Sequence, residues 1–210
     1  MKVVTTSLAG LLVIEPKCFA DERGFFMETY QERKYRAAGI VENFVQDNHS
    51  RSAKGILRGM HFTKTRPQAQ IVTVMHGRVF DAAVDLRKTS ATFGQWFGVE
   101  LGDEGPRQVY MPPGFAHGFY VLSEWADLHY KVSEYYDADD EGGLLWSDPE
   151  IAIPWPAGVR ELSARDARYP LLKDLHEVDL PDAVFCGRDE SHSSPATACT
   201  TSSVISKDPI

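Results

Sequence analysis

Cysteine is scarce in this chain. Cys18, Cys186 and Cys199 are odd in number and two of them stand near the C-terminus, which does not make a disulfide framework and points to a reducing compartment. Long apolar runs are missing as well. The one apolar stretch near the start, Leu8 to Ile14, passes directly into Glu15, Pro16 and Lys17 with no small-residue cleavage site before Cys18. It reads as a strand rather than a leader, so a cytoplasmic protein is expected, and no run approaches the roughly 18 apolar residues of a membrane helix. Positive charge is in deficit, 22 Lys and Arg against 30 Asp and Glu, for a formal net charge of -8. Nucleic acid and an anionic membrane both need a basic surface opposite their phosphates, so neither is an expected partner. An anionic small substrate would need local arginines instead. The chain also has no internal repeat at a fixed period.

What is present suits a β fold. The 210 residues are 43% apolar and 11% aromatic, enough for the core of one domain, which we place at residues 1–181. The run IVTVMHGRVFDAAVDL, Ile71 to Leu86, is rich in β-branched residues with a glycine at its middle, and predicts a hairpin turning at His76-Gly77 with one polar and one buried face. Short strand-like pieces recur at Leu11–Ile14, Phe25–Tyr30, Phe44–Gln46, Phe93–Glu100, Gln108–Met111, Gly118–Leu122 and Leu128–Val132, separated by Gly, Pro and acidic turns. Helical signals are confined to Glu32–Ala38, closed by Gly39, and to Ala164–Leu175. The expectation is a mainly β sandwich or barrel with a few peripheral helices. Residues 182–210 are Ser/Thr-rich and poor in large apolar side chains, so they read as a loose tail.

Seven histidines raise the question of a metal, but the spacing does not supply a chelate. His61 in RGMHFT and His117 in GFAHGF have no second His or carboxylate two to four residues away, and no metal is assigned. His49, His76, His129, His176 and His192 read as hydrogen-bonded structural residues. His61 differs because it follows Arg58-Gly59, a cation beside a backbone position that permits close approach of a ligand. A histidine can act as a general base near neutral pH, most effectively when a carboxylate fixes its tautomer.

Eight segments together carry a resemblance. DERGFFMETY (Asp21–Tyr30), FVQDNHSRS (Phe44–Ser52), GILRGMHF (Gly55–Phe62), VFDAAVDLR (Val79–Arg87), TFGQW (Thr92–Trp96), PPGFAHGFYVLS (Pro112–Ser123), YKVSEYY (Tyr130–Tyr136) and WSDPEIAIPWP (Trp146–Pro156), in this order, resemble the dTDP-4-dehydrorhamnose 3,5-epimerases over about residues 3 to 175. The resemblance implies a cupin-like jelly-roll β-barrel, a homodimer, no cofactor, and a nucleotide-linked 4-keto-sugar as substrate. It implies His61 as the base, Asp166 as the carboxylate that holds it, and Tyr130 as the acid on the opposite sugar face. Tyr136 is similar to the tyrosine that stacks on thymine. Arg23, Glu28, Gln46, Asn48, Arg58, His117, Glu141 and Arg165 match positions that bind the nucleotide-sugar, with Arg23 and Glu28 reaching across from a second subunit.

One position departs from the pattern. The chain is one residue shorter between His61 and Gly77, and Gln70 stands where the resemblance leads one to expect a lysine; the nearest lysine is Lys64. A neutral amide in a substrate-binding position brings no cation to a developing enolate, and losing such a donor slows a reaction by about 10²–10³-fold. Inversion at C3 alone, or a ketoisomerase on a related nucleotide-linked 4-keto-sugar, is therefore the alternative to inversion at C3 and C5.

Overall fold

The computed structural model describes residues 1–103, 105–159 and 161–181. The expected tail at 182–210, with Cys186, Cys199 and His192, lies outside the described residues. In chain order the strands are β1 (Lys2–Thr5), β2 (Leu12–Glu15), β3 (Cys18–Asp21), β4 (Gly24–Met27), β5 (Gln46–Ala53), β6 (Leu57–Thr63), β7 (Gln70–His76), β8 (Arg78–Asp85), β9 (Trp96–Gly102), β10 (Gln108–Met111), β11 (Phe115–Val121), β12 (Trp125–Val132) and β13 (Glu141–Gly143), with one helix, α1 (Glu32–Ala37).

The strands form two antiparallel sheets, ordered β1-β2-β10-β7-β12-β5 and β13-β6-β11-β8-β9, plus the separate ribbon β3-β4. Val72, Val74, Val109 and Leu128 of the first sheet meet Val79, Ala83, Phe119 and Val121 of the second in one buried cluster. This is the expected mainly β, cupin-like barrel, held by apolar faces that each sheet can bury only against the other. The helix ends as read, with Ala38 at its C-cap and Gly39 beyond it at φ +93°.

The expected hairpin at Ile71–Leu86 does not form. β7 pairs with β10 and β12, whereas β8 pairs with β9 and β11, so the chain crosses from one sheet to the other at Gly77. Neither strand has a polar outward face: Ile71 to Val74 and Asp81 to Asp85 are buried throughout. A strand covered on both faces, as β7 and β8 are by separate apolar clusters, buries consecutive residues, and periodicity cannot separate that pattern from a hairpin. Gly77 allows the crossing because it has φ +79° and a Cβ there would lie 2.1 Å from the Trp125 carbonyl oxygen.

Ala164–Leu175 is not a helix either. It holds two short 3-10 turns, Asp166–Arg168 and Leu172–Asp174, because Pro170 forces Tyr169 out of the helical region to φ -60°, ψ 148°.

Asp85 is buried at the end of β8 and accepts hydrogen bonds from Arg87, Ser90 and Thr92. Burial pushes its carboxyl up, but these bonds outweigh burial and hold it below the usual carboxylate range. The folded state therefore binds this proton more weakly than the unfolded chain. Its contribution is complete above the unfolded value of about 3.9 and is lost as pH falls through the depressed folded one. The urea midpoint is expected to be level from pH 7 to 5.5 and to drop below about pH 4; no drop down to pH 3 would contradict this assignment.

Candidate functional site

The site begins with an irregularity between β6 and β11. Leu57 pairs with Tyr120 and Arg58 with Phe119, yet His61 pairs with His117, so β6 carries one extra residue between Arg58 and His61. Strand side chains alternate, and residues three apart would face opposite ways. The bulge cancels that parity and brings both Arg58 and His61 onto the wall of one cavity.

Gly59 makes the bulge possible, though not by admitting a ligand as its sequence context implied. It has φ +122°, and a Cβ on it would lie 2.5 Å from Gly118 Cα and 2.8 Å from the His117 carbonyl oxygen. What approaches closely is β11. Gly59→Ala is expected to cost about 2–4 kcal/mol by urea denaturation, from the left-handed backbone and the displaced strand together. A loss below 0.5 kcal/mol would show that the strand can yield.

The cavity measures about 280 Å³, near the lower end for small-ligand sites. A ligand longer than one ring would extend beyond it, and Tyr136 on its lining is exposed. The second sheet contributes Arg58, His61 and His117; the first contributes Gln46, Asn48 and Ser50 from one face of β5, Gln70 from β7 and Tyr130 from β12. Tyr130 pairs in register with Asn48. Burial pushes the Tyr130 phenol up from its ordinary value, with the Arg58 charge pulling the other way, so it remains an O–H donor at neutral pH.

Behind His61 stands Asp166, buried, on the first 3-10 turn. His61 Nε2 lies 2.9 Å from Asp166 Oδ1, and the other carboxylate oxygen accepts the Gly59 N–H at 3.3 Å. Burial pushes the Asp166 carboxyl up, but the bonds from His61, Ser163 and Gly59 prevail and hold it below the usual range. An ionised Asp166 fixes the proton on Nε2 and leaves the Nδ1 lone pair free. Nδ1 is 3.7 Å from Glu141 Oε1. Glu141 is the hub of the rim: it accepts two bonds from Arg165, at 2.7 and 2.9 Å, and one from the Tyr136 hydroxyl at 3.1 Å.

Ten expected residues thus line one cavity, and Asp166 supports it from behind. Arg23 and Glu28 do not belong to it. They lie on and just after the β3-β4 ribbon, paired with Asp21 and Lys34. Gln70 is half-buried on the wall with one side-chain bond, to Gln68 at 3.4 Å, and Lys64 is not part of the lining. His49, His76 and His129 lie 3.4–3.7 Å from the buried Asp127 and the exposed Asp103 and Asp47 respectively, as ion-pair neighbours outside the cavity. Among the described residues no group of three or more His, Cys, Asp or Glu is arranged to hold a metal, and no helix is long and apolar enough to cross a membrane.

The sequence profile for dTDP-4-dehydrorhamnose 3,5-epimerase matches residues 5–174. The chain belongs to that family. The dTDP-4-dehydrorhamnose 3,5-epimerase of Salmonella typhimurium is 50% identical over 175 residues, 82% of this chain and 96% of that one. A solved structure of the dTDP-6-deoxy-D-glucose-3,5-epimerase of Legionella pneumophila, in complex with dTDP-4-keto-L-rhamnose, has a TM-score of 0.84 and 48% identity, covering 86% of this chain and 97% of that chain. A dTDP-4-dehydrorhamnose 3-epimerase of Streptomyces niveus is 40% identical over 182 residues, 86% of this chain and 88% of that one.

Three groups in this epimerase-family site escaped the sequence reading. Asp81 Oδ2 is 2.8 Å from His117 Nε2, Ser52 Oγ accepts from Arg58 Nε at 2.9 Å, and the Tyr169 ring stands edge-on to His61 at 5.8 Å. Only Asp81 left a trace: it is an acid in the middle of the apolar run VFDAAV, where a lone carboxylate requires a partner.

Proposed function

We propose that this chain inverts C3 and C5 of dTDP-4-dehydro-6-deoxy-D-glucose to give dTDP-4-dehydro-L-rhamnose, with His61 as base and Tyr130 as acid. One observation carries the reading: His61 rises from β6 of one sheet and Tyr130 from β12 of the facing sheet, and both open onto the same cavity. A sugar ring between the sheets would present one face to each.

C3 and C5 both flank the C4 ketone, so the same chemistry serves both. His61 Nδ1 takes the proton, the C–H electron pair moves into the ring as an enolate, and the negative charge collects on the C4 oxygen. Tyr130 then delivers a proton to the opposite face, the carbonyl re-forms, and the phenolate and imidazolium exchange with solvent. Two groups are needed because a single base would return the proton to the side it left. Arg58, anchored by Ser52 and close enough to act on the Tyr130 phenol, eases the transient phenolate. The nucleotide would lie across the mouth, with its base on Tyr136 and its diphosphate among the arginines, whose planar forks suit paired oxygens.

Incubation with dTDP-4-dehydro-6-deoxy-D-glucose in D₂O, followed by NMR at H3 and H5, tests this. Exchange and inversion at both carbons are expected, and exchange at neither would remove the reading. The neutral Gln70 is the observation behind the second reading, inversion at C3 alone, which exchange confined to H3 would select. The relatives at 44–50% identity named as 3,5-epimerases support inversion at both carbons.

We also infer a homodimer acting in the cytoplasm. Phe25 and Phe26 on the β3-β4 ribbon are 67% and 70% exposed, a large apolar surface for a folded monomer. Arg23 and Glu28 beside them are not on the lining of the His61 cavity of their own chain, which fits delivery to a second copy's site. Sedimentation equilibrium should give twice the 23.5 kDa chain mass; a monomer at micromolar concentration would contradict the dimer. The exposed free thiol of Cys18 fits a reducing compartment.

A further inference from the structure

A base has to present its lone pair to one face of the sugar, and the bond from His61 to Asp166 fixes only one corner of the imidazole. A single hydrogen bond leaves the ring free to tilt about that corner, and misplacing a reacting group by about 1 Å costs on the order of 10²-fold in rate. A second contact on the flank of His61 comes from the same short segment as the first. Asp166 and Tyr169 stand three apart across the 3-10 turn Asp166–Arg168, whose period of three residues puts side chains at i and i+3 on one side. Asp166 meets Nε2 at 2.9 Å, and the Tyr169 ring lies against the imidazole with centroids 5.8 Å apart and planes at 75°, the edge-to-face arrangement that aromatic rings prefer. The segment is tied down just beyond the ring, where Leu145 N–H donates to the Pro170 carbonyl at 2.8 Å.

The strand beside His61 makes room for this ring. Gly143 on β13 is the register partner of His61. Its backbone does not demand glycine, since its φ lies outside the left-handed region, yet a Cβ there would lie 2.2 Å from the Tyr169 ring. The missing side chain is the space that Tyr169 occupies. The Tyr169 hydroxyl is buried and has no hydrogen-bond partner among the described residues, and burial pushes the phenol up to about 12, so it sets no charge beside the base. What the residue brings to His61 is a flat, rigid ring.

We propose that Tyr169 is a positioning residue for the base: with Asp166 it clamps the His61 imidazole in the orientation that presents Nδ1 to the sugar, and Gly143 is bare so that the clamp can close. The inference rests on the reading of His61 as the base. Tyr169→Ala should lower kcat about 10–100-fold with KM changed less than about threefold. Tyr169→Phe, which keeps the ring and drops the unpartnered hydroxyl, should stay within about twofold of wild type. Gly143→Ala should also lower kcat about 10–100-fold, because its methyl evicts the ring, and adding it to Tyr169→Ala should cost less than about a further twofold, there being no ring left to displace. Crystal structures should show His61 in a single rotamer with Nε2 on Asp166 in the wild type and in Tyr169→Phe, and in more than one rotamer in Tyr169→Ala. A Tyr169→Ala enzyme with kcat within about threefold of wild type, or with its loss confined to KM, overturns the inference. So does a Tyr169→Phe enzyme as slow as Tyr169→Ala, a pair of losses at 143 and 169 that multiply in the double variant, or a single His61 rotamer in Tyr169→Ala. Should Tyr169→Ala fail to fold, Tyr169→Leu fills the space without a flat ring and is read by the same criteria. Should the wild type exchange neither sugar proton, the epimerase reading fails, and the His61 rotamers still decide whether the clamp exists.

Discussion

Replacing His61 by asparagine is expected to lower hydrogen exchange at C3 and C5 by about 10³-fold while leaving dTDP affinity within twofold of wild type. Asparagine is close in size and can still donate to Asp166, so the wall is kept, but its amide cannot accept a proton in the neutral range. Among the described lining residues the other candidate bases are engaged: Glu141 by Arg165 and Tyr136, Asp137 by Arg66, and His117 by Asp81. The loss should therefore appear in kcat, read by proton NMR in D₂O, with nucleotide binding followed by calorimetry. Exchange within tenfold of wild type would show that another group removes the proton.

Tyr130→Phe separates two events that the wild-type enzyme couples. His61 is untouched, so deuterium should still enter at the carbons beside the ketone. The opposite face has lost its donor, so deuterium returns to the side the proton left, and net inversion falls by about 10²–10³-fold while exchange falls far less. The phenol is held protonated by burial, and phenylalanine fills the same space without the O–H, so packing is a minor variable. The measurement is the ratio of deuterium incorporation to product formed. A ratio equal to that of the wild type would mean that Tyr130 is not the acid.

The fold class was legible because short apolar segments between Gly and Pro turns leave few architectures open, and most strands fell close to where they were read. β5 shows why others did not. QDNHSRSA contains no apolar alternation, since its inward face, Gln46, Asn48 and Ser50, lines a cavity instead of a core, and a pattern search expects hydrophobic residues there. β7 and β8 failed in the opposite way, being buried on both faces in the interior of their sheets. The site was legible only through the order of its motifs. Nothing between positions 61 and 166 announces that an imidazole and a carboxylate will meet at 2.9 Å. The bulge at Gly59 was equally silent, because simple alternation puts Arg58 and His61 on opposite faces and only the pairing partner reveals the extra residue. Asp81 could have been noticed as a carboxylate stranded in a buried strand.

The central claim is that His61 and Tyr130 address opposite faces of one ring. A crystal structure with dTDP-4-keto-L-rhamnose bound tests it most directly. We expect the sugar between the two sheets, with His61 Nδ1 and the Tyr130 hydroxyl each within about 4 Å of C3 or C5 and on opposite sides of the ring plane. A ring with both groups on the same side, or with Tyr130 out of reach of either carbon, would contradict the account.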